Sequence, residues 1–163
     1  MDEDMIEKAE AYAARHDRHL AGRLGFGIHG TVFAIESNDH PGVSALKVHY
    51  WEEPYRRERD VYRRIQEEGV MAICGLQIPQ MIAWEDDQLA LEMTMVKPPF
   101  LLDFAGAYLD FPPTFSEEVW AEWRQKNEEQ FGADWPMAQA VLAELEDLGI
   151  HMLDASPSNI RFR

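Results

Sequence analysis

The run Gly25-Phe26-Gly27-Ile28-His29-Gly30-Thr31-Val32 limits this chain more than any other stretch, because it fits G-x-G-x-x-G-x-V at every fixed position. Glycines lack a Cβ and let a backbone approach phosphate oxygens closely. The setting decides what such a run means. A dinucleotide-binding unit places it between a strand and a helix. Here a strand-like run, Thr31 to Ser37, follows it. The turn signal Asn38-Asp39-His40-Pro41-Gly42 comes next, then a second strand-like run, Val43 to Tyr50. The expectation is an antiparallel hairpin entered through glycines. The dinucleotide reading is set aside. A phosphate-covering loop and a plain glycine-rich hairpin both remain.

On the second strand Ala45 and Lys47 share one face, and Leu46 and Val48 share the other. A small residue beside a lysine suits a flat ring with phosphates beyond it; the alternative is a solvated strand lysine. Pro54 marks the start of a helix, where its missing N–H costs nothing, and Gly69 follows its end at Glu68. Glu58, Val61, Tyr62 and Ile65 share one face of that helix. A carboxylate on an otherwise apolar face is costly unless paired. Lys47 is one candidate partner; Arg56, Arg57 or Arg59 at the surface is the other.

The rest of the chain reads as one α+β domain, 1–163. Asp4 to His19 has the stripe of an N-terminal helix, with Met5, Ile6, Ala9, Tyr12 and Ala13 on one side. Gln80 to Glu85 and Gln88 to Val96 read as strands joined at Asp86-Asp87. Lys97-Pro98-Pro99 then marks a boundary between lobes, 1–96 and 97–163. The second lobe reads as helical. One helix is capped by Ser116 and ends near Gly132; the next runs from Asp134 to Leu148, with Gly149 just past it. Ile150 to Arg163 is short, apolar and rich in turns.

Composition narrows the function classes. With 46% hydrophobic and 28% charged residues, the chain has a soluble globular profile. No apolar run approaches a membrane span, and the start Met1-Asp2-Glu3-Asp4 is unlike a secretory signal, so no membrane partner is expected. The single cysteine, Cys74, excludes an intrachain disulfide and a Cys-rich zinc site, and fits a reducing cytoplasm. Lys and Arg number 15 against 30 Asp and Glu, a net charge of −15 that repels a nucleic-acid backbone. His16 and His19 have metal-pair spacing without an evident third ligand. Trp120, Trp123, Phe131 and Trp135 read as core aromatics, and Glu144, Glu146 and Asp147 as a solvated helix face.

A fourth element completes a resemblance. Leu148-Gly149-Ile150-His151-Met152-Leu153-Asp154-Ala155-Ser156-Pro157-Ser158-Asn159-Ile160 resembles the catalytic loop of protein kinases, with Pro three residues and Asn five residues after the Asp. Glycine loop, lysine, glutamate and this loop come in the kinase order. The resemblance implies a kinase-like fold: an antiparallel-sheet N-lobe with one key helix, and a shortened helical C-lobe. It implies ATP and Mg2+ as cofactors. Gly25, Gly27 and Gly30 would cover the phosphates, and Val32 and Ala45 would pack on the adenine. Met93, Met95 and Val96 would form the hinge. Lys47, held by Glu58, would contact the α- and β-phosphates. Asp154 would accept the substrate proton, and Asn159 would bind the metal.

The departures are specific. Met152 and Leu153 stand where the family normally has His and Arg, and Ser156 where serine/threonine kinases have Lys. The family's Asp-Phe-Gly segment is expected beyond Asn159, and the residues that follow, Ile160 to Arg163, do not carry it. Asp103, Asp110 or a partner chain is the expected substitute acid. Two functions follow. One is an ATP-dependent phosphotransferase acting on a hydroxyl. The other is an inactive pseudokinase-type module that works through a protein partner, or through self-association of the shortened lobe.

Overall fold

The computed structural model describes residues 2–163. Asp2–Arg15 forms α1, with Asp2, Glu3 and Asp4 in its first turn and Arg15 in its last, charges that complement the helix dipole. The helix is shorter than its stripe predicts. Asp17 adopts φ +55°, and β1 (Arg18–Phe26) begins directly after it, so His19 lies on a strand. β2 (Gly30–Ser37) and β3 (Val43–His49) form the expected hairpin. α2 (Glu52–Glu67) and two short strands, β4 (Ala72–Ile73) and β5 (Leu76–Gln77), lead to β6 (Met81–Glu85) and β7 (Ala90–Thr94). The main sheet has the order β1-β2-β3-β7-β6, antiparallel throughout.

Period-two alternation gives this sheet two apolar faces. Leu46 and Val48 pack with Phe33 and Ile35 against Met5, Ala9 and Tyr12 of α1. Ala45 and Met93 face the other way, toward Tyr55, Val61, Tyr62 and Ile65 of α2. Each large apolar side chain so buried stabilises the fold by about 1.5–3 kcal/mol. A buried carboxylate fastens α1 to the sheet. Glu92 accepts hydrogen bonds from the Tyr12 hydroxyl (2.8 Å), Ser44 Oγ (2.7 Å) and Arg18 Nε (3.0 Å). Burial alone would raise its carboxyl; the three donors and the Arg18 charge outweigh burial and hold it below the usual range. Burial and the same carboxylate push the Tyr12 phenol well up.

The second lobe carries both expected helices. Ser116 caps α3 (Glu117–Phe131), its Oγ accepting from the Val119 amide. A 3-10 turn at Gly132–Asp134 precedes α4 (Trp135–Asp147). Asp134 does not cap α4; its carboxylate takes the Arg163 guanidinium instead. To the expected helices the structure adds four short strands that the sequence reading did not place, β8 (Phe100–Leu101), β9 (Ala107–Leu109), β10 (Ile150–Met152) and β11 (Ile160–Arg161). Segments of two or three residues carry no readable period.

These strands weld the two halves. β9 pairs with β10, β8 pairs antiparallel with β11, and β8 also runs parallel to β5. Arg64 of α2 donates to both carboxylate oxygens of Asp110 (2.9 and 3.1 Å) and to the Leu148 carbonyl. Gly149, at φ +77°, leaves room for this grip, since a Cβ there would lie 2.7 Å from Asp110 Oδ1. One apolar core runs from Ala45 and Tyr62 to Leu145 and Ile160. Among the described residues no helix is long and apolar enough to cross a membrane.

Candidate functional site

Gly27 donates its amide to the Gly30 carbonyl (2.9 Å), closing the turn between β1 and β2 over one edge of the sheet. β1 carries register shifts at Leu20/Gly22 and Arg23/Gly25, which bend it as bulges do. A Cβ built on Gly30 would lie 2.3 Å from the Val48 carbonyl oxygen, so this glycine is required by close packing on β3. A Cβ on Gly25 or Gly27 would meet nothing within 4 Å. Among the described residues nothing fills the space beside these two glycines. Below the loop lies a cleft of about 320 Å³, within the size range of small-molecule sites. Gly25, Gly27, Gly30, Val32, Ala45, Lys47, Met93, Met95 and Val96 all line it. Among the described residues no backbone–backbone hydrogen bond engages Met95 or Val96.

The inner end of the cleft is a charge cluster. Lys47 Nζ lies 2.7 Å from Glu58 Oε2 and 2.9 Å from Asp103 Oδ1. His49, two residues along the same face of β3, lies with Nε2 2.7 Å from Glu58 Oε2 and Nδ1 3.1 Å from the Leu89 carbonyl. The Phe104 amide donates to Glu58 Oε1 (3.3 Å). Burial would raise the Glu58 carboxyl, but Lys47 and His49 outweigh it and hold it down to about 2. Burial would lower the Lys47 ammonium, and Glu58 with Asp103 instead keep it above its ordinary value. Arg56, Arg57 and Arg59 pair elsewhere, with Glu52, Glu53, Asp60 and Asp86. The surface-pairing alternative for Glu58 therefore falls.

Asp103 arrives from an unexpected direction. Leu101 on β8 pairs with Ile160 on β11, the residue after Asn159, and the chain then turns at Asp103 with φ +70°. The antiparallel pair sets Asp103 beside the loop that carries Asp154 and Asn159, although it precedes them in sequence. Phe104 is fully buried and packs edge-on against Tyr62 (5.3 Å between centroids). The Tyr62 hydroxyl, buried at the cleft wall, has no hydrogen-bond partner of good geometry among the described residues. Asp110, the other acid considered, is held by Arg64 and does not line the cleft.

Asp154 and Asn159 border a second cavity of about 340 Å³, which shares Ile28, His29 and Asp103 with the first. The Asp154 side chain is 46% exposed and accepts from His29 Nε2 at 3.1 Å, so the tip of the glycine loop reaches the loop below. Gly106 backs directly onto it: a Cβ there would stand 1.9 Å from Asp154 Oδ2. Asn159 folds the loop on itself. Its Nδ2 donates to the Asp154 carbonyl (2.6 Å), and its Oδ1 accepts from the Ser156 amide (2.8 Å). Trp123 donates its indole N–H to the Leu153 carbonyl (2.9 Å), so α3 braces the same loop.

His49 was not singled out in the sequence, although its position two residues after Lys47 puts it on the same strand face. The His16–His19 metal pair does not form. His16 meets Glu85, His19 meets Asn38 and Glu36, and among the described residues no group of three or more His, Cys, Asp or Glu gathers as a metal site. Phe131 and Trp135 join the core; Trp120 and Trp123 are only partly buried.

No protein-family model matches the chain, and no curated protein matches it. Among solved structures, the kinase domain of Mycobacterium tuberculosis PknI is similar at a TM-score of 0.33, with 21% identity over 66% of this chain and 44% of that one. The chain thus spans less than half the length of that domain. The similarity to a protein kinase domain is distant.

Proposed function

We propose that this chain binds ATP with magnesium in the glycine-roofed cleft and transfers the γ-phosphoryl group to a hydroxyl acceptor. The observation that carries this reading is the Lys47 ammonium, buried and set between Glu58 and Asp103 at the inner end of the cleft. Two carboxylates hold its charge and position, so it presents a fixed cation to phosphate oxygens. Val32 and Ala45 offer an apolar slot for the adenine, and the unengaged backbone at Met95 and Val96 offers donors and acceptors to its edge.

The residues fit a magnesium ion. Mg2+ takes hard oxygen donors and is commonly held by one or two carboxylates together with substrate phosphates. Asp103 supplies a carboxylate and Asn159 an amide oxygen, which would exchange its long contact from the Ser156 hydroxyl (3.3 Å) for the ion, while the open space at Gly25 and Gly27 and the orphaned Tyr62 hydroxyl leave room and a spare donor for a polar ligand. When bound, the ion neutralises charge on the β- and γ-phosphates. Asp103 takes the role that the kinase pattern gives to an acid placed after the catalytic loop. Asp154 accepts the proton of the attacking hydroxyl as the oxygen–phosphorus bond forms. The bridge to the β-phosphate breaks, and ADP leaves.

Calorimetric titration with ATP, with and without magnesium, on wild type, Lys47→Ala and Asp103→Asn tests this. Binding that requires Lys47 and loses its metal dependence in Asp103→Asn is the expected result. Absence of heat and of any thermal shift overturns the nucleotide site. Tight binding indifferent to magnesium points instead to a nucleotide-holding module without transfer.

A further inference from the structure

The second cavity is built like a binding site for a small neutral molecule. It is bounded by the glycine-loop tip at Ile28 and His29 and by the 153–159 loop, and its far wall is α3. α3 is braced to the loop at Leu153 through the Trp123 indole N–H. The space, half open to solvent and about 340 Å³ in volume, is of a size for a compact ligand.

The lining says what kind. Asn127 and Gln130 on α3, and Ser156 and Ser158 on the loop, bring amide and hydroxyl groups to it, beside the Trp123 ring. Asn127 is only 3% exposed. Its Nδ2 is taken by the Trp123 carbonyl, and among the described residues its Oδ1 receives no hydrogen bond. The Oδ1 is open to the cavity, so it is an acceptor available to a ligand that carries O–H or N–H groups. Asp103 is paired with Lys47, and Lys126 sets one cation against Asp154, so the lining carries both signs and does not select strongly for a charged ligand.

From this lining we infer that the cavity receives a small polyhydroxylated molecule of the sugar or polyol class, whose hydroxyl is the phosphoryl acceptor. The inference rests on the function proposed above. One acceptor O–H faces Asp154, which takes its proton; that oxygen bonds to the γ-phosphorus, and the bond from phosphorus to the β-phosphate bridge breaks to release ADP. The remaining hydroxyls engage Asn127, Gln130 and the two serines.

The test uses the full chain with ADP and magnesium and a panel of glycerol, myo-inositol and glucose, with serine- and threonine-containing peptides as the competing class. Ligand-observed NMR reads binding directly and does not depend on turnover; calorimetry reads ATP affinity separately. The expected result is that at least one polyol binds, that Asn127→Leu weakens it about tenfold, and that ATP affinity stays unchanged. Gln130→Trp, an exposed substitution that narrows the cavity without touching the core, abolishes polyol binding in a chain of normal thermal stability. Polyol binding that survives both variants overturns the site. Peptide binding or phosphorylation with no polyol bound overturns the class. ATP binding with no member of the panel bound overturns this inference alone and leaves the nucleotide site standing.

Discussion

Lys47 and Asp103 stand 2.9 Å apart although 56 residues separate them, and Glu58 closes the group at 2.7 Å from the same ammonium. Two carboxylates and one lysine share a site that the sheet, α2 and the turn after β8 build together. Removing the cation leaves Glu58 buried with a lost partner. Lys47→Ala is expected to lower stability by about 3 kcal/mol, the cost typical of breaking a buried ion pair. Urea unfolding measures this, and a loss under about 0.5 kcal/mol, the scale of exposed pairs, contradicts a structural clamp.

The acid side of this clamp has a defined pH signature. Glu58 is held down to about 2, below its ordinary value near 4.5. A depressed carboxyl contributes stability that is fully present above the unfolded value and is lost as pH falls through the folded one. The window runs from about 4.5 to about 2, and the contribution is on the order of 3 kcal/mol. Stability measured from pH 6 to pH 2 is expected to fall mainly inside that window, and Glu58→Gln is expected to flatten the fall.

His49 is buried against the Glu58 carboxylate, with Nε2 2.7 Å from Oε2. His49→Phe removes one charge-assisted donor. The expected outcome is a loss of about 2 kcal/mol at neutral pH, with a smaller acid loss of stability that is complete at higher pH than in wild type. Unchanged acid unfolding assigns His49 to packing alone.

Two glycines of one loop are expected to answer differently to alanine. Gly30→Ala forces a Cβ against the Val48 carbonyl, a backbone atom that cannot step aside, and is expected to cost about 1–3 kcal/mol of stability. The Cβ of Gly27→Ala meets nothing within 4 Å among the described residues, so stability is expected to change by less than about 0.5 kcal/mol. ATP affinity is nonetheless expected to fall about tenfold, because the Cβ enters the space assigned to phosphate. Thermal unfolding and calorimetry on both variants separate the two roles.

Gly106 tests Asp154 without replacing it. A Cβ at Gly106 would collide with the Asp154 carboxylate, the movable end of a half-exposed side chain. Gly106→Ala is expected to keep the fold and ATP binding while phosphoryl transfer drops by at least about a hundredfold, the scale of a misplaced catalytic group. Retention of full transfer removes Asp154 from the role of base.

Much of the first lobe is legible in the chain itself, because its determinants are local. A period of two on β3 puts Lys47 and Ala45 on one face, and a period near four on α2 puts Glu58 among Val61, Tyr62 and Ile65. Ser116 marks the start of α3, and the glycine run marks the loop, since caps and turns are chosen by adjacent residues. His49 was legible by the same alternation, as a second polar residue on a packed strand face.

The position of Asp103 was decided by tertiary structure alone. It follows a two-residue strand with no period, sits at positive φ without being glycine, and reaches the cluster only because β8 pairs with β11 some sixty residues later. The Asn127 environment and the cavity beneath α3 depend likewise on how α3 docks against the 153–159 loop. Sequence by itself determined the elements whose bonds and apolar faces are set within a turn or a strand. Tertiary structure decided which distant charges meet, because that depends on pairings between segments whose own residues carry no record of one another.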